Sequence, residues 1–270
     1  MLGSYHTELA AYAGLRTGQA HLEALTSMAL GAFYRGCDVV LSPSAASDER
    51  LEQLGISADR IGRWDRGVDV ERFDLMLRQP GLLPDAVNVL YAGRLTKEKG
   101  VDLLADAFLA ARWRDPRLHL VLAGGGPEEG ALRERLGDSA TFLGWLDGAE
   151  LARAYASADI FLFASATDTF GQVLLEAQAS GLPVVAVNAG GPASLIEHGS
   201  TGLLAAAEPN SLAEAVLSLV AAPLLSERLR RAGLAAVRDR TWEAALERLA
   251  TGYRRTLAER GAAPASRSVA

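Results

Sequence analysis

From residue 87 onward, short apolar runs alternate with longer stretches of helical period, and this alternation constrains the fold more than any other feature of the chain. The pattern predicts strands over 87–92, 118–123, 140–143, 159–164, 183–187 and 202–205. It predicts helices over 100–112, 128–136, 148–157, 171–180, 210–221, 224–236 and 242–259. A strand followed by a helix does not pair with the next strand through a hairpin. The sheet is therefore predicted to be parallel and doubly wound, with helices on both faces. Ligands bind such sheets beyond the carboxyl ends of the strands, so the residues that follow the strands carry the functional information.

Residues 1–75 read differently. Leu22, Leu25, Ala29, Ala32 and Phe33 recur at helical spacing and predict a helix over 19–35,. A strand is expected over 38–41, a helix over 44–54 and a short strand over 60–64. These are α/β pieces, but too few for a closed domain, which typically needs ~100–150 residues. Val39-Val-Leu41 expects more sheet beside it, so an exposed strand edge or apolar patch, and with it self-association, is predicted here,. Gln79-Pro-Gly81 and Pro84-Asp85 mark a linker over 76–86,. The end, GAAPASRSVA, reads as a disordered tail over 261–270,.

Composition removes several functional classes. The net charge of −6 argues against a nucleic-acid partner held through phosphate contacts,. Cys37 is the only cysteine, so no internal disulfide and no cysteine metal cage can form,. No two histidines have metal-ligand spacing, and no G-x-S-x-G nucleophile elbow occurs,. No run of about 18 apolar residues is present, and MLGSYHTEL lacks the features of a signal peptide,. A cytoplasmic setting is expected.

The richest stretch is Ser165–Pro183, SATDTFGQVLLEAQASGLP. Asp168 and Glu176 flank a Thr169-Phe170-Gly171 turn and the start of a helix, where backbone N–H groups make an anion site,. Arg94 and Lys99 follow the first strand in GRLTKEKG. An arginine fork and a lysine point charge suit a pyrophosphate, but a solvated Lys/Glu loop, which fits Lys97 and Glu98, is the better reading of this stretch in isolation. Gly124-Gly125-Gly126 permits close backbone approach but lacks the dinucleotide spacing, so a tight turn is its simplest reading,. Trp145, in Gly144-Trp145-Leu146, would either flank a base or cap the sheet edge. Gly190-Gly191-Pro192 reads first as a tight turn. His6 is a lone histidine in GSYHTE, a context more often structural than catalytic.

Taken in order, GRLTKEKG, LAGGGP, FLGW, DTFGQVLLEAQASGLPVV, GGP and HGSTGLL resemble the donor domain of retaining glycosyltransferases of family 4, which have the two-domain GT-B fold. SYHT resembles the family's acceptor-domain motif with its active-site histidine. The resemblance implies an α/β chain with a complete doubly wound donor domain over 87–240. It implies an incomplete Rossmann-like acceptor domain over 1–75, and a helix over 241–260 that packs back towards it. It implies that Arg94 and Lys99 bind the donor diphosphate and that Phe170 and Gly171 add backbone N–H groups. Glu176 would hold the ribose hydroxyls, and Asp168 with Thr169 would lie at the donor hexose. Gly125, Gly144, Trp145 and Leu146 would border the nucleotide, and His6 would approach the sugar from the facing domain. His6, Asp168, Arg94 and Lys99 are the implied catalytic set.

The implied reaction moves a mannose- or glucose-type hexose from a GDP- or UDP-sugar to a lipid, glycan or small-molecule acceptor, with retention and with neither metal nor other cofactor. Asp-Thr-Phe-Gly also resembles GDP-mannose-dependent members. Two departures stand out. Asp168 replaces the usual Glu, shorter by about 1.5 Å, and most of the acceptor domain is absent, with any peripheral membrane contact expected on that part. A nucleotide-sugar-binding fragment and a GT-B-fold epimerase are the alternatives.

Overall fold

The computed structural model describes residues 1–261. Its first part contains β1 (Leu2–Ser4), α1 (Leu9–Thr17), α2 (Ala20–Arg35), β2 (Val39–Ser42), α3 (Ala45–Gln53) and β3 (Ile61–Arg63). These strands form a three-stranded parallel sheet in the order β1-β2-β3. Its second part runs β4 (Val87–Ala92), α4 (Val101–Arg114), β5 (Leu118–Ala123), α5 (Glu129–Leu136), β6 (Ala140–Gly144), α6 (Gly148–Ser157) and β7 (Ile160–Phe163). There follow α7 (Gln172–Ala179), β8 (Val184–Val187), α8 (Gly190–Leu195), β9 (Leu203–Ala205), α9 (Pro209–Ala221), α10 (Pro223–Val237) and α11 (Trp242–Gly261). The second sheet is parallel throughout, in the order β6-β5-β4-β7-β8-β9.

The strands of this sheet are apolar at nearly every position because both faces are covered. Val89, Tyr91, Leu120, Leu122, Leu162 and Val185 join the core beneath α4 and α9. The intervening Leu90, Val121, Phe161, Phe163 and Val184 join the core beneath α6 and α7. Strand order reverses between β4, which pairs with β5 on one side, and β7 on the other. The crevice beyond these two carboxyl ends is where a ligand is expected, and the loops 93–100 and 164–171 meet there. The contact is close: a Cβ on Gly100, at φ +68, would lie 2.2 Å from the Ala164 carbonyl oxygen.

Three elements are not legible in the sequence. β1 is three residues long, and Gly3 leaves space where a Cβ would come within 2.8 Å of Cys37 Sγ. α1 ends at the left-handed Gly18,. α8 begins with Gly190-Gly191-Pro192, so these residues open a helix rather than make only a tight turn. Proline is tolerated there because the first-turn N–H groups have no intrahelical acceptor. The predicted tail from 262 onward lies outside the described residues, and α11 continues to Gly261.

The open edge expected at Val39-Val-Leu41 is not found. β2 is the middle strand, and all three side chains are buried. Instead α2 is turned so that Gly31 and Tyr34 face inwards, with Tyr34 edge-on to Tyr5 at 5.7 Å. Most of the predicted apolar stripe of α2 consequently faces out: Leu25 and Phe33 are 62% and 54% exposed, and the neighbouring Met28 is 70% exposed.

α11 lies back against β2 and β3, where Gly252 meets Leu41. Arg248 pairs with Asp65 at 2.6 Å. The 76–86 segment is tied to the second sheet by Arg78, which donates to the Ala158 carbonyl at 3.0 Å and to Asp159 at 2.9 Å.

Two outcomes follow. Light scattering is expected to detect concentration-dependent association that Leu25→Glu with Met28→Glu reduces; a monodisperse monomer at all concentrations would contradict this. Gly124→Ala should cost at least about 2 kcal/mol in chemical denaturation, since Gly124 has φ +140 and its Cβ would lie 1.9 Å from the Gly93 carbonyl oxygen,.

Candidate active site

The 93–100 loop and the 164–171 loop are bound to each other through one peptide. The Glu98 carbonyl accepts from Ser165 Oγ at 2.9 Å and from Thr167 Oγ1 at 2.8 Å. The Glu98 side chain is 3% exposed, so it is not the solvated residue that its Lys/Glu context suggests. It faces Arg94 at 3.7 Å, and nearly half of the Arg94 side chain is exposed.

Lys99 lies deeper and pairs with Asp168 at 2.5 Å. The second oxygen of Asp168 accepts from the backbone N–H groups of Phe170 at 3.1 Å and Gly171 at 2.9 Å. The family resemblance implies that these two N–H groups face a diphosphate. In the structure they donate to the Asp168 carboxylate, because aspartate reaches its own backbone two and three residues on,. Burial alone would raise the Asp168 pKa. The Lys99 ammonium and the two N–H donors outweigh it, and the carboxyl lies below its ordinary value.

Thr169 reaches across to the first sheet. Its hydroxyl donates to the His6 carbonyl at 2.7 Å, and its own carbonyl accepts from Ser44 Oγ at 2.6 Å and Ser47 Oγ at 3.3 Å. The predicted His6 and the predicted Thr169 are therefore joined directly. The His6 ring has Nε2 against Ser4 Oγ at 2.7 Å and lies edge-on to Trp64 at 4.5 Å. Its Nδ1 is buried with no partner among the described residues. Burial, and then Arg66, lower the His6 pKa, which favours the neutral ring. The Phe170 ring is in the core, so only its backbone faces the site. Gly171, at φ +92, opens α7.

One and a half turns into α7, Glu176 accepts from the Tyr155 hydroxyl at 3.0 Å. Burial raises the Glu176 pKa to about 7, against opposing contributions from Tyr155, Gln172 and Arg72.

On the other side of the crevice, Trp145 is 68% exposed and lies over Gly125, where a Cβ would come within 2.7 Å of the indole nitrogen. Gly124 N–H donates to the Gly144 carbonyl at 2.7 Å. Gly125, Gly144 and Trp145 thus form one surface, and Leu146 packs beneath it against the α6–α7 core.

Three contributors are not evident from the sequence. Gly190 and Gly191 buttress the 168–171 turn: Gly191 N–H donates to the Asp168 carbonyl at 2.7 Å, and a Cβ on Gly191 would lie 2.4 Å from Phe170 N. Tyr12 is the third. It lies on α1, which packs against the 97–99 turn, and burial raises its pKa while Lys99, Asp168, Arg94 and Glu98 all act on its hydroxyl.

A cavity of about 660 Å³ lies elsewhere, at the amino ends of β4, β7 and β8 around Val87, Ile160 and Pro183. Parallel sheets bind ligands at the opposite end, so the crevice takes precedence over the cavity. Among the described residues no group of three His, Cys, Asp or Glu side chains could hold a metal ion. None of their helices is long and apolar enough to cross a membrane.

Comparisons with known proteins agree with this architecture. Residues 86–222 match the family described as glycosyl transferases group 1, and the chain belongs to that family. It is 37% identical over 224 residues to a GDP-mannose-dependent alpha-mannosyltransferase of Corynebacterium glutamicum, covering 80% of this chain and 52% of the relative. It is 41% identical over 228 residues to a protein of the same description from Mycobacterium tuberculosis, covering 82% and 57%. The chain thus spans little more than half the length of these relatives.

Among solved structures, sucrose-phosphate synthase of Thermosynechococcus elongatus superposes with a TM-score of 0.82 at 29% identity, covering 96% of this chain and 68% of the other. Anabaena HepE in complex with UDP and glucose superposes at 0.78 with 23% identity, covering 94% and 71%. The fold is of the GT-B type.

Breaking the Lys99–Asp168 pair from one side leaves a largely buried charge. Asp168→Ala should cost about 3 kcal/mol by urea denaturation at pH 7, the lower end for such pairs. Because folding depresses the Asp168 pKa, its stabilisation is complete above the unfolded value near 3.9 and is lost as pH falls through the folded value,. The variant's acid-side stability profile should be correspondingly flatter.

Proposed function

We propose that the chain is the donor-binding part of a retaining, metal-independent hexosyltransferase that uses a nucleoside diphosphate sugar. The observation that carries this reading is the cluster at the β4–β7 crevice: Arg94, Lys99 and two backbone N–H groups at the start of α7, with the Glu176 carboxylate further along the same helix. Cations and N–H groups stabilise the charge that a diphosphate gains as the sugar departs. Glu176 offers a carboxylate to the vicinal ribose hydroxyls. Trp145 over Gly125 borders the base. His6 meets the sugar from the first sheet.

In this reading the Asp168 carboxylate takes the donors that a donor phosphate would use. Donor binding exchanges it for phosphate on Lys99 and the two N–H groups. The released carboxylate is then available to the hexose hydroxyls. The names of the mannosyltransferase relatives favour GDP-mannose as donor. A lipid, glycan or small molecule would be the acceptor.

A second reading is a chain that binds the nucleotide sugar without transferring it. It is favoured by the coverage of little more than half of the relatives' length. Turnover by the 270-residue chain would exclude it.

The test is a calorimetric panel of GDP, UDP and ADP with their sugars. At least one is expected to bind, equally well in EDTA, and Arg94→Ala should weaken it by ~1.5–3 kcal/mol, the range for hydrogen bonds to charged groups. Absence of binding across the panel, or an obligatory Mn²⁺, would overturn the reading.

A further inference from the structure

We propose that Tyr155 is a positioning residue for nucleotide recognition: its hydroxyl holds one oxygen of the Glu176 carboxylate so that the other is presented to the ribose diol. The proposal rests on the reading of Glu176 as the ribose acceptor, and it adds a residue from a different helix to that site.

Tyr155 is fully buried on α6. Its ring stacks on Phe161 of β7, with centroids 5.5 Å apart and planes inclined by 25°. Phe73, from the segment after β3, meets it edge-on at 5.5 Å and 87°. A ring clamped on two sides cannot turn its hydroxyl elsewhere. The hydroxyl donates to Glu176 Oε2 at 3.0 Å. Burial, with Glu176 next, pushes the Tyr155 pKa well above its ordinary value, so the group stays a donor. A tyrosine hydroxyl beside an ionised carboxylate can only donate. It therefore fixes the plane of that carboxylate, and a diol read by a carboxylate needs that plane fixed.

The arrangement also couples nucleotide binding to pH. A protonated Glu176 has one acceptor fewer and cannot accept from both ribose hydroxyls. The groups facing it are Tyr155 from α6, Gln172 on its own helix and Arg72 from the segment after β3. α10, which also packs on α7, brings Gly233 against Gln178. β7 and β8 contribute apolar side chains such as Phe161 and Val184. Among the described residues Arg72 is thus the one full charge acting on Glu176, and burial is the larger effect. Ionisation of Glu176 falls within the physiological range, near pH 7. The competent fraction sets the apparent affinity, so nucleotide affinity should rise as pH rises through 7.

The experiment measures GDP and 2′-deoxy-GDP binding by calorimetry from pH 5.5 to 8.5, for the full chain and for Tyr155→Phe and Glu176→Gln. Phenylalanine keeps the ring and its packing, and thermal melting checks that it does. The native chain should bind GDP roughly tenfold more tightly at pH 8 than at pH 6, and more tightly than 2′-deoxy-GDP. Tyr155→Phe should weaken GDP binding roughly tenfold at pH 7, move the pH midpoint upwards and shrink the preference for ribose. Glu176→Gln should abolish both the preference and the pH dependence.

If Tyr155→Phe keeps the native midpoint and the native ribose preference while Glu176→Gln loses them, the role of Tyr155 is refuted and that of Glu176 stands. If Glu176→Gln retains both, the ribose reading fails and the proposal falls with it.

Discussion

The Asp168 carboxylate is the point on which the cleft depends. One oxygen takes the Lys99 ammonium from the loop after β4, and the other takes the two N–H groups that open α7. An ionised aspartate in this position ties the two central strand ends together and closes the turn that leads into α7,. The cost of burying it is offset because every partner is a donor or a cation. Under the proposed function a donor phosphate would take these same donors, as one anion in place of another.

Around Asp168, close backbone contact does the rest. Gly100 against Ala164, Gly126 against Leu95 and Gly191 against Phe170 are approaches that any side chain would prevent. The loops thus have little freedom relative to one another. Thr169 extends this rigidity across the crevice by binding the His6 carbonyl and receiving Ser44 and Ser47. Gln172 adds a bond from α7 to the Gly67 carbonyl at 3.0 Å. The two sheets are therefore connected through the residues that flank Asp168.

Much of this is legible in the amino-acid sequence alone. The second sheet is readable because strands buried on both faces leave continuous apolar runs, and helices between them leave a different period. The family resemblance, rather than spacing alone, singles out Arg94, Lys99, Asp168, Thr169 and His6, and the structure brings Lys99 onto Asp168 and Thr169 onto His6. The failures have physical causes. β1 is too short to produce a pattern, and α2 has an apolar stripe that tertiary packing turns outwards in favour of Gly31 and Tyr34. Glu98 looks solvated because its neighbours are charged, yet its peptide is the hinge between two loops. The bonds from the Phe170 and Gly171 N–H groups to Asp168 follow an Asx-turn pattern,, whereas the family resemblance gives those N–H groups to a diphosphate. Nothing in the sequence around Tyr155 indicates that its hydroxyl meets Glu176, because that contact depends on how α6 and α7 are laid on the sheet.

The central claim is that a diphosphate occupies the seat now held by the Asp168 carboxylate. A crystal structure of the chain with GDP or GDP-mannose tests it most directly. The expected result is a phosphate oxygen within hydrogen-bond distance of Lys99 Nζ and of the Phe170 and Gly171 N–H groups, with the Asp168 side chain turned towards the sugar. A nucleotide bound elsewhere, or bound at the crevice with the Lys99–Asp168 pair and both backbone bonds intact, would contradict it.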